Sequence, residues 1–175
     1  DSAGLKRVDS VDGAALVGRN GSGDYAGIAI PYRRPGSPNI RAYRLRRDNP
    51  DFETKSDGSL REKGKYLSEP GRHNLAFFPP GRPAEWVHDP SIPAVISEGE
   101  KKALAASRHF QEREVRVLYI GLSGVWNWRD KVGKAGAPNG ERRDVRGVIP
   151  DIEEIEWKGR DTRILFDANV RTHES

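Results

Sequence analysis

Three short apolar runs in the second half of the chain each stop on a glycine or an acid, and a strong helix separates the first two. Ala94-Val-Ile-Ser97 leads into Glu98-Gly99. Residues 100–109, Glu-Lys-Lys-Ala-Leu-Ala-Ala-Ser-Arg-His, are dominated by helix formers. Val115-Arg-Val-Leu-Tyr-Ile120 is the second run and ends at Gly121; Thr162-Arg-Ile-Leu-Phe166 is the third and ends at Asp167. Runs this short, rich in β-branched residues and bounded by such stops, read as strands. A strand–helix–strand order calls for parallel pairing through right-handed crossovers, which makes this half α/β. Residues 122–147 read as a long connection containing Gly, Arg and Trp. Asp151–Trp157 reads as a short helix with Ile152 and Ile155 on one face and Pro150 near its start.

The first half has a different rhythm. Residues 1–23 are small, polar and Gly-rich and read as an irregular entry. Gly18-Arg-Asn-Gly-Ser-Gly23 lacks the Lys-Ser/Thr ending of a phosphate loop and the spacing of a dinucleotide fingerprint, so it reads as a turn. Residues 26–33 alternate as a strand, Arg34-Pro-Gly-Ser-Pro-Asn39 is a turn, and residues 40–46 return as a second strand. In that second strand Ile40, Ala42 and Leu45 oppose Arg41, Arg44 and Arg46, with a slip of register around Tyr43. Residues 48–63 read as a flexible polar loop, and Lys65–Leu67 and Leu75–Phe78 as short strands. Pro79, Pro80, Pro83 and Pro90 cannot sit inside a sheet, so a boundary is expected there. The expected organisation is a mainly β, basic subdomain over 1–90 and an α/β domain over 91–175.

Composition narrows the function classes. Cysteine is absent, which excludes disulfides and thiolate metal sites. No run approaches the ~18 apolar residues of a membrane span, and the first residues lack the apolar stretch of a signal peptide. A cytoplasmic location fits both. Position 1 is not methionine, so the sequence reads as a fragment of a longer chain. The net charge of +4 is a small basic excess; its distribution says more. Arg33, Arg34, Arg41, Arg44, Arg46 and Arg47 follow one another with no acid between them. Such a run is either a solvated strand face or a phosphate-binding surface.

Ligands of open parallel sheets bind beyond the carboxyl ends of the strands. Glu98 and Asp167 stand at two such ends. If their strands are neighbours, two carboxylates share one sheet edge, where their repulsion favours a cation. Magnesium takes oxygen ligands and keeps waters that phosphate oxygens can replace. Gly99 allows the turn into the helix. Glu100 either faces the site or complements the helix dipole. Trp126 and Trp128 either stack on unpaired bases or cap the core beneath their loop. Arg129 and Lys131 are candidates for phosphate contacts. His73, His88, His109 and His173 show no metal-ligand spacing.

Val95-Ile-Ser-Glu98-Gly99-Glu100-Lys-Lys-Ala-Leu-Ala105 resembles the first motif of Toprim domains, an apolar strand ending in Glu-Gly before a helix. Ile164-Leu-Phe-Asp167-Ala-Asn169 resembles their second, a strand ending in Asp-x-Asp. The resemblance implies Glu98 as general acid/base or metal ligand and Asp167 as a magnesium ligand. Asn169 replaces the second aspartate, and its neutral carbonyl is a weaker ligand. Residues 27–33, 41–46 and Lys63-Gly-Lys-Tyr-Leu-Ser-Glu-Pro70 are similar to the segment preceding Toprim in bacterial-type primases. Gly121-Leu-Ser-Gly-Val-Trp-Asn-Trp128 resembles Toprim-like domains, long filed as of unknown function, in plasmid, phage and mobile-element replication proteins.

That likeness, over roughly residues 25–170, implies a primase-like core. It implies metal-dependent nucleotidyl transfer with Mg2+ or Mn2+, on a single-stranded DNA template with nucleotides as substrates. Arg44, Arg46, Lys65 and Arg129 are the implied nucleic-acid or nucleotide contacts, and Tyr66 either stacks on a base or joins the core. A helicase-like ATPase is the implied neighbour, on the same or a partner chain. The chain stops eight residues after Asp167, so the resemblance implies that part of a Toprim domain is missing. The alternatives are a non-catalytic DNA-binding or scaffold module of a larger replication protein, and a Toprim nuclease.

Overall fold

The computed structural model describes residues 4–136 and 141–167. They divide into two compact units. One comprises residues 1–32 with 39–72; the other comprises 33–38 with 73–175. Residues 73–90, expected on the first side of the boundary, therefore group with the second unit.

The first unit opens on β1 (Lys6–Val8) and α1 (Ser10–Leu16), where an irregular entry was expected. The cause is local. Asp9 caps the helix by accepting from the Asp12 N–H at 2.9 Å. Gly13 lets the helix lie directly on the chain, since a Cβ there would stand 2.0 Å from the Tyr25 carbonyl oxygen. β2 (Gly27–Tyr32) and β3 (Ala42–Arg47) form the expected antiparallel hairpin. Their register runs unbroken from Gly27↔Arg47 to Tyr32↔Ala42, so the expected slip at Tyr43 is absent. Strand alternation instead sets Tyr43, Leu45 and Arg47 on one face and Arg44 and Arg46 on the other.

Residues 48–63, expected as a loop, contain the hairpin of β4 (Asp51–Thr54) and β5 (Leu60–Lys63). Ion pairs of Glu53 with Arg61 and Lys63 span it. β6 (Tyr66–Leu67) closes a sheet of order β1-β2-β3-β6. Val8, Val17, Ala29 and Leu45 form a buried cluster in this unit.

The second unit is built on β7 (Ala94–Glu98), α2 (Glu100–Gln111) and β8 (Leu118–Leu122). A hairpin of β9 (Arg129–Gly136) and β10 (Arg142–Val148) follows. α3 (Pro150–Glu153) and β11 (Thr162–Leu165) complete it. β7 lies between β11 and β8 and pairs with both in parallel, so a three-stranded parallel sheet with helical crossovers is present, as the strand–helix–strand pattern predicts. Among the described residues, no helix is long and apolar enough to cross a membrane.

Ala94, Leu118, Ile120 and Leu122 pack with Phe78, Ile149, Ile152 and Ile155 on one face of the sheet. On the other, Val95, Val117 and Tyr119 meet Ala106 and Phe110 of α2. Residues 75–78 make only an isolated bridge, Phe77↔Gly121, rather than a strand. Arg160 fastens the region. Its guanidinium donates to the carbonyls of Ile92 (2.6 Å), Val87 (2.9 Å), Trp86 (3.1 Å) and Glu156 (2.8 Å).

Residues 122–147, read as a connection, are largely the β9–β10 ribbon. A bulge between Val145 and Arg146 shifts its register. Its glycines masked the alternation that would have identified two strands.

Candidate functional site

The parallel sheet brings two of the predicted residues to one edge. Glu98 is the last residue of β7, and β11 lies beside it with Leu165 opposite Ser97. Continuing that register sets Asp167 level with Gly99. The chain leaves β7 through Gly99 at φ 85°, ψ 153°, a conformation closed to residues with a Cβ. α2 starts there without a side-chain cap, so its first amides are available to an anion or to water. Glu100 is buried in that first turn.

The two carboxylates reach the edge from different faces. Strand alternation puts Glu98 with Ala94 and Ile96, on the face packed against α3. Asp167 is held in an ion pair by Lys102 of α2, which covers the other face. Ser97, between the two positions, was not singled out in the sequence. It is 4% exposed, and its Oγ has no hydrogen-bond partner among the described residues. Asn169 lies outside the described residues. No group of three or more Asp, Glu or His that could hold a metal occurs among the described residues. Two carboxylates with phosphate oxygens and waters are nevertheless a sufficient set for magnesium, which rarely has an all-protein cage.

The predicted cations fall in two places. Arg44, Arg46 and Lys65 lie together on β3 and beside β6 in the first unit. The Arg44 guanidinium sits 4.8 Å from the centre of the Tyr66 ring. Arg46 buries its Nε without a partner among the described residues. Lys65 pairs with Glu62 at 2.6 Å. Arg72, which the sequence alone does not single out, belongs with them. It donates to the Tyr43 carbonyl at 3.2 Å and lies over Tyr32. Burial pushes its pKa below the usual arginine value; Tyr32 and Glu69 oppose that shift, and the charges of Arg44 and Arg41 add smaller contributions to it. Arg47, counted in the exposed-looking run, is instead buried. It grips Asp51 through two hydrogen bonds of 2.8 and 3.1 Å. The Asp51 hydrogen bond raises its pKa.

Arg129 belongs to the second unit, at the root of the β9–β10 ribbon. Its guanidinium lies 5.2 Å from the Trp126 ring centre and 5.5 Å from that of Trp128. Trp126 is 66% exposed and Trp128 36%, so neither caps the core.

These features define an α/β domain with acidic residues at the carboxyl edge of a parallel sheet and surfaces rich in arginine. Residues 84–175, just over half of the chain, match the model of the family described as Domain of unknown function (DUF3854), and the chain belongs to that family. No curated protein and no solved structure matches it.

Proposed function

We propose that the chain is a Toprim-like, primase-type core that carries out metal-dependent nucleotidyl transfer on nucleic acid. The observation that carries this reading is the parallel pairing of β11 with β7, which brings Glu98 and Asp167 to one sheet edge beside the first turn of α2. In this reading Glu98 and Asp167 hold Mg2+ or Mn2+, and Asn169 assists. The metal, when bound, neutralises charge developing on the transferred phosphate. The residues of the chain do the rest. Arg44, Arg46 and Arg129 hold phosphates through planar forks that fit their oxygens, and Lys65 adds a point charge. Glu98 is placed to take a proton at its carboxylate. Substrate positioning and fixed charge supply most of the rate. Lys102 pairs with Asp167 at the position a metal held by that carboxylate would take.

A second reading rests on that same Lys102–Asp167 ion pair: a binding module of a replication protein in which lysine has permanently taken the metal's position. Titration calorimetry with Mg2+ and Mn2+ separates the two. In the first reading the wild type binds metal, Asp167→Ala abolishes binding, and Lys102→Ala tightens it by releasing the carboxylate. Primer synthesis on single-stranded DNA is then lost in both Glu98→Ala and Asp167→Ala. Metal binding that persists in Asp167→Ala removes the site. Salt-sensitive DNA binding with no metal binding in any variant selects the second reading.

A further inference from the structure

The β9–β10 ribbon has two unlike faces. β10 alternates regularly, so Arg142, Asp144, Arg146 and Val148 share one face. Their partners across the ribbon are Gly136, Lys134, Lys131 and Arg129. That face therefore carries Arg129, Lys131, Lys134, Arg142 and Arg146 against the single acid Asp144. The Lys131–Asp144 ion pair at 2.6 Å requires these two side chains to lie on the same side. The opposite face carries Gly133, Ala135 and Val145, with Val132 lying over Gly147 and Asp130 opposite Gly147 at the root. Arg143 is its one cation.

The root of the ribbon is anchored. Asp130 accepts a hydrogen bond from the Asn74 N–H, the Asn74 side chain donates to the Arg129 carbonyl at 3.1 Å, and the Ile149 N–H donates to the Trp128 carbonyl at 3.0 Å. Beyond the root the strands are exposed. Each spans about 25 Å at ~3.4 Å per residue, so side chains on one face recur about every 7 Å. An isolated two-stranded ribbon of glycine, alanine and arginine buries little and gains little stability from its own packing. Its one-sided charge is what distinguishes it, and at its root Arg129 lies within cation–π distance of two exposed tryptophans.

We infer that this ribbon is an arm that binds single-stranded nucleic acid, with the phosphodiester backbone along the Arg129, Lys131, Lys134, Arg142 and Arg146 face and a base stacked on Trp126. Five cations against one acid match a polyanion. Exposed tryptophan beside arginine matches an unpaired base, which offers a π-face that a base in a duplex keeps covered. The inference names a substrate surface for the function proposed above, but it does not use the metal site.

The test is fluorescence anisotropy with the whole chain in EDTA, using labelled oligothymidylate of about 20 nucleotides, longer than a single such site. Salt is varied from about 50 to about 200 mM. Replacing Lys134, Arg142 and Arg146 together by Ser is expected to weaken binding at least about tenfold at low salt. It should also lower the slope of log K against log salt by about 2, at ~0.7 for each phosphate that is no longer neutralised. Arg143→Ser, on the opposite face, is expected to change affinity less than about twofold, since it removes charge that touches no phosphate. Trp126→Ala should weaken binding to the single strand while leaving the salt slope unchanged. Arg142→Lys with Arg146→Lys should keep the slope, which shows that the serine variant gave up charge rather than fold.

An unchanged slope in the serine variant overturns the arm. So does an equal weakening in Arg143→Ser, or tighter binding to duplex DNA or to anionic phospholipid vesicles than to the oligonucleotide. Binding is read in EDTA, where no metal is present. The arm and the metal site can therefore fail separately.

Discussion

At the residue scale, the same side chain does different work according to what surrounds it. Arg44 and Arg47 sit three positions apart in one run of arginines. Arg44 lies over a tyrosine ring and beside other cations, while Arg47 is buried and tied to Asp51. Arg160 goes further, since its donors satisfy four backbone carbonyls at once. A lysine there offers one ammonium in place of a planar fork and leaves several of those carbonyls without its donors. Arg160→Lys is therefore expected to lower stability by about 2–3 kcal/mol. Urea unfolding should show a lower midpoint and an unchanged m-value. A midpoint equal to that of the wild type would mean that water satisfies those carbonyls equally well.

At the element scale, ends and roots matter more than interiors. β7 passes into α2 through Gly99, whose positive φ turns the chain at the carboxyl edge of the sheet. The β9–β10 ribbon depends in the same way on its root. Burial tends to raise the pKa of Asp130. The N–H groups of Asn74 and Lys131 outweigh it, helped by His73 at 3.5 Å, and hold the carboxyl below the usual aspartate value. A depressed folded pKa means that the carboxylate stabilises fully above the unfolded value of about 3.9 and loses that contribution as pH falls through the lower folded value. Asp130→Asn is expected to cost about 1–2 kcal/mol near neutrality and to flatten the loss of stability below about pH 4. Unfolding free energies measured across that range check both effects; an acid limb as steep as that of the wild type would assign it to other carboxylates.

At the scale of the whole molecule, the two units have unequal cores. In the first, Val8, Val17, Ala29 and Leu45 form a buried cluster, and Ile30 and Tyr32 are buried as well. The second packs residues on both faces of its parallel sheet, including Leu118, Ile120, Ile149, Ile152 and Tyr119. Apolar burial contributes roughly 25 cal/mol per Å2, so the second unit has the larger reserve. Native-state hydrogen exchange is expected to show the amides of β7 and β8 outlasting those of β2 and β3. The reverse order, or equal protection, would mean that the chain opens as one cooperative body.

The parallel sheet was legible because its signals are local: apolar runs of strand length, a helix without breakers, and Glu98 and Asp167 marking strand ends; Gly121, expected to end the second strand, lies inside β8, which runs on to Leu122. The β2–β3 hairpin was legible for the same reason, through its alternation and its proline-rich turn. The β4–β5 and β9–β10 hairpins were not, because exposed strands of charged residues and glycines carry no buried face to pattern them. Sequence also determined that Glu98 and Asp167 stand at the carboxyl ends of strands. Only tertiary structure decided that those strands are neighbours, that the carboxylates lie on opposite faces with Lys102 against one of them, and that the ribbon gathers its cations on one side. Pairing partner and register fix those relations, and both arise from interactions between residues far apart in the chain.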